Sequence, residues 1–150
     1  MAGLEIDFPD DFLSELLNTD FDDMAAEMEK ECAPIVKEEI ENALAAAVEH
    51  DGDSDLLKSI KIKGPKKSKN GAVITNIGPS GTSRNYYYRD KKKKRKHYVS
   101  NALKAIWLEY GRAGQAARPW LATATKNSEN KVLKKMQEIY DKKVGVKNGH

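Results

Sequence analysis

A stripe of apolar residues at helical spacing constrains the fold of this chain more than any other feature. From Phe21 to Val48 the apolar residues recur at steps of three and four, the spacing that places side chains on one face of an α-helix. His50-Asp51-Gly52 supplies a stop after the last turn. Pro34 interrupts the stripe, and because proline lacks an N–H we expect a kink or a break near Ala33. The stripe therefore predicts a long, acidic N-terminal helix.

Alternating residues and turn signals indicate β-structure after this helix. The segment 58–63 alternates polar and apolar side chains, as a half-buried strand does. Gly64-Pro65 is expected to end that strand, and Asn70-Gly71 is a strong turn signal before a second strand over 72–77. The two segments predict an antiparallel hairpin with a long basic loop.

Two helices are predicted in the last third of the chain. Val99 to Tyr110 is a short apolar helix, which the glycines of the segment 111–114 end. Pro119 suits the first position of a final helix that reaches Lys143. The element order predicts an α+β fold, a small antiparallel sheet packed by a long N-terminal helix and a C-terminal helix. We expect residues 19–150 to form a single domain, preceded over 1–18 by an acidic segment that is a mobile arm or a docking segment.

Charge is divided sharply along the sequence. The 150 residues carry a net charge of +3, but residues 1–60 hold 18 acidic and 3 basic side chains, whereas residues 61–150 hold 5 acidic and 23 basic ones. Such a division favours head-to-tail association, with the acidic face of one copy meeting the basic face of the next. The alternative is that the two halves neutralise each other inside one domain, and the sequence leaves both open.

Several function classes find no support in the sequence. No apolar segment approaches the ~20 residues that span a bilayer, and the acidic start does not resemble a secretory signal, so no membrane role is expected. The single cysteine, Cys32, falls on the helical stripe and is expected to be a buried apolar group in a reducing compartment. The three histidines lack metal-ligand spacing and no catalytic constellation is apparent. We therefore expect no enzyme activity, cofactor or metal.

A basic, tyrosine-rich segment is the sharpest local feature. Residues 78–97 are predicted to form an exposed loop or tip, because six adjacent cations repel one another and cannot be buried. Cations attract phosphates and tyrosines stack on bases, while a solvated loop or one that docks on an acidic neighbour is an open alternative. The candidate interaction residues are Arg84, Tyr86, Tyr87, Tyr88, Arg89, Lys91, Lys92, Lys93, Lys94, Arg95 and Lys96.

Two short motifs resemble a known family. The segment 106–111, Ile-Trp-Leu-Glu-Tyr-Gly, and the segment 116–121, Ala-Ala-Arg-Pro-Trp-Leu, resemble a paired element of tail-completion or neck proteins of long-tailed phages. Asp55 to Ile60 also looks like that family's segment before its first strand, so the resemblance covers roughly residues 20–143. The chain departs from the pattern in its Tyr- and Lys-rich insertion and in Arg112-Ala113-Gly114. The motif residues are Glu109, Tyr110, Gly111, Arg118, Pro119 and Trp120.

The resemblance implies a structural virion protein. It would assemble in the host cytoplasm into a homo-oligomeric ring of six copies, placed in the neck of the virion between the head connector and the tail tube. Its basic loop would contact the passing DNA or an acidic neighbouring protein. The competing hypothesis is a small nucleic-acid-binding module that uses the same loop. Apart from the resemblance, Gly111 permits the positive φ that ends a helix, Trp120 is a natural anchor, and Glu109 and Arg118 are placed to pair.

Overall fold

The computed structural model describes residues 20–48 and 54–145, which form an α+β fold as the sequence predicts. Nothing in it bears on the predicted acidic arm or on the stop at 50–52, because both lie outside the described residues. In chain order the elements are α1 (Phe21–Ala47), α2 (Ser54–Leu57), β1 (Ile60–Lys67), β2 (Val73–Pro79), β3 (Thr82–Arg89), β4 (Lys96–Ser100), α3 (Asn101–Tyr110) and α4 (Trp120–Gly145).

The long helix α1 packs antiparallel against α4. Its first turn is capped by Asp20, whose Oδ1 accepts a hydrogen bond from the Asp23 N–H at 3.0 Å.

Helix α1 runs unbroken through Pro34, so the expected break is absent. Pro34 lies on the exposed side, and Lys30, whose carbonyl loses its helical partner, is exposed as well. Water can therefore satisfy that carbonyl, which lowers the cost of the proline.

The predicted hairpin is confirmed as β1 and β2. The strands pair antiparallel, with Ile62 opposite Ile77, and the turn contains Asn70-Gly71. Strand β1 does not end at Gly64-Pro65, as the sequence suggests, but continues to Lys67 after an irregularity between Lys63 and Lys66. A bulge accommodates the extra residue and lets pairing resume beyond it.

The predicted loop over 78–97 is largely a second hairpin, which corrects the sequence interpretation. Strands β3 and β4 pair antiparallel in a separate two-stranded sheet, and only residues 90–95 form the connecting turn. Tyrosines favour strands and pair across them, and this preference outweighs the disordering effect of the charge run. The run of cations itself marks the turn rather than the whole segment.

One hydrophobic core joins the helices to the first hairpin. Leu44 of α1 and Leu56 of α2 have no exposed surface. Ile60 extends the core onto β1, and Trp120 closes it where α4 begins. The buried members of this core are Ile40, Ala43, Leu44, Ala47, Leu56, Ile60, Ala105, Leu108, Trp120 and Ala124. Strands β3 and β4 contribute none of them, although Val99 of β4 and Ser83 of β3 are buried as well.

Candidate functional site

The tip of the second hairpin presents the six consecutive cations to solvent. Lys91 to Lys96 are all exposed, as expected for like charges that repel one another. The turn is held by Asp90, whose Oδ1 accepts a hydrogen bond from the Lys92 N–H at 2.8 Å and whose carbonyl accepts one from the Lys94 N–H at 2.9 Å. The cations are therefore displayed on an ordered turn.

Aromatic side chains line the stem of this hairpin in cross-strand pairs. The rings of Tyr87 and Tyr98 meet edge to face with centroids 5.9 Å apart, and the rings of Tyr88 and His97 stack at 5.3 Å. Lys96 places its Nζ 4.5 Å from the centre of the Tyr87 ring. The tyrosines keep 44–60% of their surface exposed, although Lys96 and His97 already cover one face of Tyr87 and of Tyr88.

Arg112 fastens the second hairpin to the rest of the fold. Its guanidinium lies 4.3 Å from the centre of the Trp107 ring, and its Nη2 donates a hydrogen bond to the Tyr86 hydroxyl at 3.2 Å. Tyr86 in turn meets Trp107 edge to face at 6.1 Å. The two departures from the family pattern, the tyrosine-rich insertion and Arg112, thus contact each other. The structure brings the basic segment and the motif together at this point.

The motif residues build the joint between α3 and α4. Gly111 ends α3 with φ 77° and ψ 173°, and its N–H donates to the Trp107 carbonyl. Trp120 is buried and its Nε1 donates to the Ala105 carbonyl at 2.8 Å. Glu109 accepts from the Leu121 N–H at 2.7 Å and Arg118 donates to the Ala47 carbonyl at 3.0 Å. Each of these two side chains, which we expected to pair, thus binds a backbone group.

The remaining motif positions lie at the edges of the joint. Pro119 directly precedes α4 instead of occupying its first position. Tyr110 is 77% exposed at the end of α3. The Tyr110 ring therefore adds nothing to the core, and its exposure points to a surface role.

Two apolar stripes remain exposed on the helices. On α3, Leu103, Ile106 and Tyr110 follow one another at helical spacing on the side opposite the core. On α4, Leu133 and Tyr140 have the same spacing, and half-buried Met136 lies between them. Sequence reasoning did not single out these stripes. The available signal was that α3 is apolar on nearly all sides, whereas a helix at the surface of a single domain is apolar on one side only.

Acidic and basic segments neutralise each other within the chain. Lys143 Nζ lies 2.6 Å from Glu27 and Lys135 Nζ lies 3.6 Å from Glu31, both between α4 and α1. Further pairs join Lys131 to Glu39 and Lys67 to Asp22. Hydrogen bonding to Glu39 raises the pKa of Lys131, and hydrogen bonding to Asp22 raises the pKa of Lys67. Part of the charge division is therefore internal, which reduces what remains for association between copies.

The described residues show neither a metal site nor a membrane-spanning helix, and their cysteine is buried. Across residues 20–48 and 54–145, no group of His, Cys, Asp and Glu side chains is arranged to hold a metal ion. In the same part of the chain no helix is long and apolar enough to cross a membrane. Cys32 is buried, as expected, and burial raises the pKa of its thiol, which disfavours the reactive thiolate.

Comparison with known proteins identifies no relative of this chain. No family model, curated protein or solved structure matches this chain.

Proposed function

We propose that this chain is a structural protein of a phage neck, a tail-completion or head-to-tail joining protein that assembles into a ring between the head connector and the tail tube. The observation that carries the proposal is the pair of exposed apolar stripes, defined as stripe A (Leu103, Ile106, Tyr110) and stripe B (Leu133, Met136, Tyr140). Apolar side chains aligned on an exposed helix face mark an interaction surface. The motif resemblance supplies the assembly in which such surfaces would be used.

Two different stripes on one chain suit a ring. A ring is built from heterologous contacts, in which one surface of each copy meets a different surface of the next. Stripe A lies on α3 and stripe B on α4, so each copy carries both halves of one contact. We propose that stripe A of one copy packs against stripe B of its neighbour. Six copies are what the resemblance implies.

Charge substitutions in the two stripes test this arrangement. Ile106 is 51% exposed and Leu133 is 58% exposed, so Ile106→Glu and Leu133→Glu should both fold. Each variant alone should fail to form rings, because every contact needs both stripes. An equimolar mixture of the two variants should form dimers and nothing larger. The intact stripe B of Ile106→Glu can pack against the intact stripe A of Leu133→Glu, and the two stripes left over both carry the added charge. Light scattering after size exclusion, over a range of concentrations, measures the masses.

Asn127→Glu is the matched control. Asn127 is exposed on α4, on the flank away from stripe B, and the substitution changes the charge by the same single unit. This variant should assemble like the unmodified chain. Rings formed by Ile106→Glu, or an equal loss in Asn127→Glu, would contradict the stripe contact. A chain that stays monomeric at every concentration would argue against self-assembly.

A small nucleic-acid-binding module is the second candidate, favoured by the exposed cations and tyrosines of the β3–β4 hairpin. It predicts binding that weakens steeply as salt rises, because displaced counterions drive the association. Replacing Lys92 and Lys93 with Gln should flatten that dependence. No measurable binding at moderate salt would exclude this candidate.

A further inference from the structure

A basic cleft opens beside the root of the second hairpin. It has a volume of about 490 Å³ and lies where β1, the β2–β3 connection and the start of α3 meet. Four cations line it, Lys58, Lys61, Lys63 and Arg84. Among the described residues no ion pair involves any of these four, in contrast to the lysines that pair with α1. The cleft, which also contains the Asp55 carboxylate, therefore holds a surplus of positive charge that no ion pair among the described residues neutralises.

The cations are spaced for an extended anion. Lys61 and Lys63 alternate with isoleucines on exposed β1, so they share one face and lie about 6.7 Å apart along the strand. Arg84 lies on β3 and lines the same cleft. A single small anion would be held by a compact group of donors, whereas these charges border an open groove. Their arrangement suits several anionic groups in a row.

Two further polar side chains line the cleft. Asp55 lines the cleft and accepts a hydrogen bond from the Arg84 N–H at 3.0 Å. Asn101 also lines it and is only 3% exposed. Its Nδ2 donates to the Ser80 carbonyl at 2.9 Å, and its Oδ1 has no hydrogen-bond partner among the described residues. The lining thus combines a surplus of positive charge with a few fixed polar groups.

A second group of cations lies on the same hairpin. Arg84 borders the cleft, and Arg89 lies at the end of β3, next to the basic turn. The residues between these two arginines carry no charge, and the pairing of β3 with β4 is irregular between Thr82 and Tyr87. The cleft and the turn are therefore two separate groups of cations. A long polyanion has contacts available at both groups, whereas a short acidic peptide has them at one.

We propose that the cleft formed by Lys58, Lys61, Lys63 and Arg84 binds the backbone phosphates of double-stranded DNA. The choice of duplex DNA rests on the proposed function, which places the ring around the path of the genome. The lysines act as point charges on phosphate oxygens, so the contact carries no sequence preference. The cleft lies apart from the cations of the hairpin turn, which makes the two surfaces separable by substitution.

Three double variants with the same charge change test the proposal. Lys61→Gln with Lys63→Gln alters the cleft, Lys92→Gln with Lys93→Gln alters the turn, and Lys126→Gln with Lys134→Gln alters exposed lysines of α4. Binding to a random duplex is measured by fluorescence anisotropy between 50 and 200 mM salt, the range in which counterion release is readily seen, at roughly neutral pH. All six lysines are exposed, so thermal unfolding should confirm that each variant folds.

The cleft variant should reduce the slope of log binding constant against log salt by about 2, since each lost phosphate contact removes about 1. The α4 variant should leave the slope unchanged. Equal slopes for the cleft and α4 variants would overturn the proposal, whether or not the turn variant binds more weakly. Absence of duplex binding by the unmodified chain would overturn it as well.

Two further experiments test whether an acidic protein surface is the better ligand and whether DNA binding depends on ring assembly. Polyglutamate that displaces duplex DNA from the unmodified chain at equal charge concentration would identify an acidic protein surface as the better ligand and overturn the proposal. Ile106→Glu, in which ring assembly should be blocked, should still bind duplex DNA with the unmodified slope per chain. Normal rings formed by the cleft variant would show that assembly stands without the DNA contact, so the two proposals can fail separately.

Discussion

The backbone conformation at Gly111 restricts this position to glycine. Its φ of 77° with ψ of 173° falls in a region that is essentially confined to glycine. A Cβ at this position would lie 2.9 Å from both the Ala117 nitrogen and the Gln115 carbonyl oxygen. Backbone atoms cannot move aside as a flexible side chain can. The turn between α3 and α4 therefore depends on glycine for two separate reasons.

Gly114 offers a matched comparison, because its φ is 78° and a Cβ there would meet nothing within 4 Å. Gly114→Ala should lower the free energy of unfolding by about 1–2 kcal/mol, the cost of a left-handed conformation. Gly111→Ala should lower it by more than about 3 kcal/mol, because strain and steric overlap add. Urea unfolding measures both. Equal losses would contradict the contribution of the backbone contacts.

Residue identities predicted some contacts of this joint and not others. Gly111 was predicted to end the short helix with a positive φ, and this is confirmed. Trp120 was predicted to anchor the last helix on the sheet or on a neighbour; it is buried, but its indole donates to the Ala105 carbonyl of α3. The positions of Glu109 and Arg118 were not predictable, because a charged side chain has many possible partners within its reach. Arg112 shows the same limit, since its contact with Tyr86 spans 26 residues of sequence.

At the scale of elements, periodic patterns predicted the helices and the first hairpin. The second hairpin was not predicted, because the run of six cations indicated an exposed loop. The cross-strand pairing of its tyrosines also leaves no periodic signal in the sequence. The cleft could not be predicted at all. Its lining comes from segments between Asp55 and Asn101, which tertiary packing alone brings together.

Ion pairs between α1 and α4 make stability depend on pH. Hydrogen bonding to Lys143 holds the pKa of Glu27 below its ordinary value of 4.5, so this carboxylate stabilises the fold above that pH and the effect is lost as pH falls. The pKa of Lys143 is raised by the same bond above 10.5, so its contribution is present below that pH and is lost as pH rises through the raised value.

Glu27→Gln should therefore reduce the fall in melting temperature on acidification below about pH 4.5. Both groups are exposed, so the effect should be small and should shrink as salt is added. Calorimetry at several pH values measures it. Glu138→Gln, which alters an exposed carboxylate outside the described ion pairs, is the control and should follow the unmodified chain. An identical pH dependence for Glu27→Gln and the unmodified chain would contradict the assignment.

At the scale of the whole molecule, the apolar stripes and the basic cleft and turn are separate surfaces with different proposed partners. Four carboxylates of α1 pair with lysines of other elements, so part of the charge division is neutralised within one copy. The apolar stripes are the features left for contact between copies, and the unpaired cations of cleft and turn are left for a polyanion. Under the proposed function, assembly and DNA contact therefore occupy separate parts of one subunit.

This division predicts a specific defect when the basic turn is removed. Replacing Lys91 to Lys96 with Ser should leave ring formation intact, because the stripes lie on α3 and α4. Under the proposed function, the variant should instead fail to join heads to tails or to retain DNA, since it lacks the cations proposed to contact DNA or the neighbouring protein. Electron microscopy would show separate heads and tails, and Lys126→Gln with Lys134→Gln is the control. Infectious particles in normal number from the six-residue variant would refute a role for the turn, and rings lost together with joining would show that the turn belongs to the contact between copies.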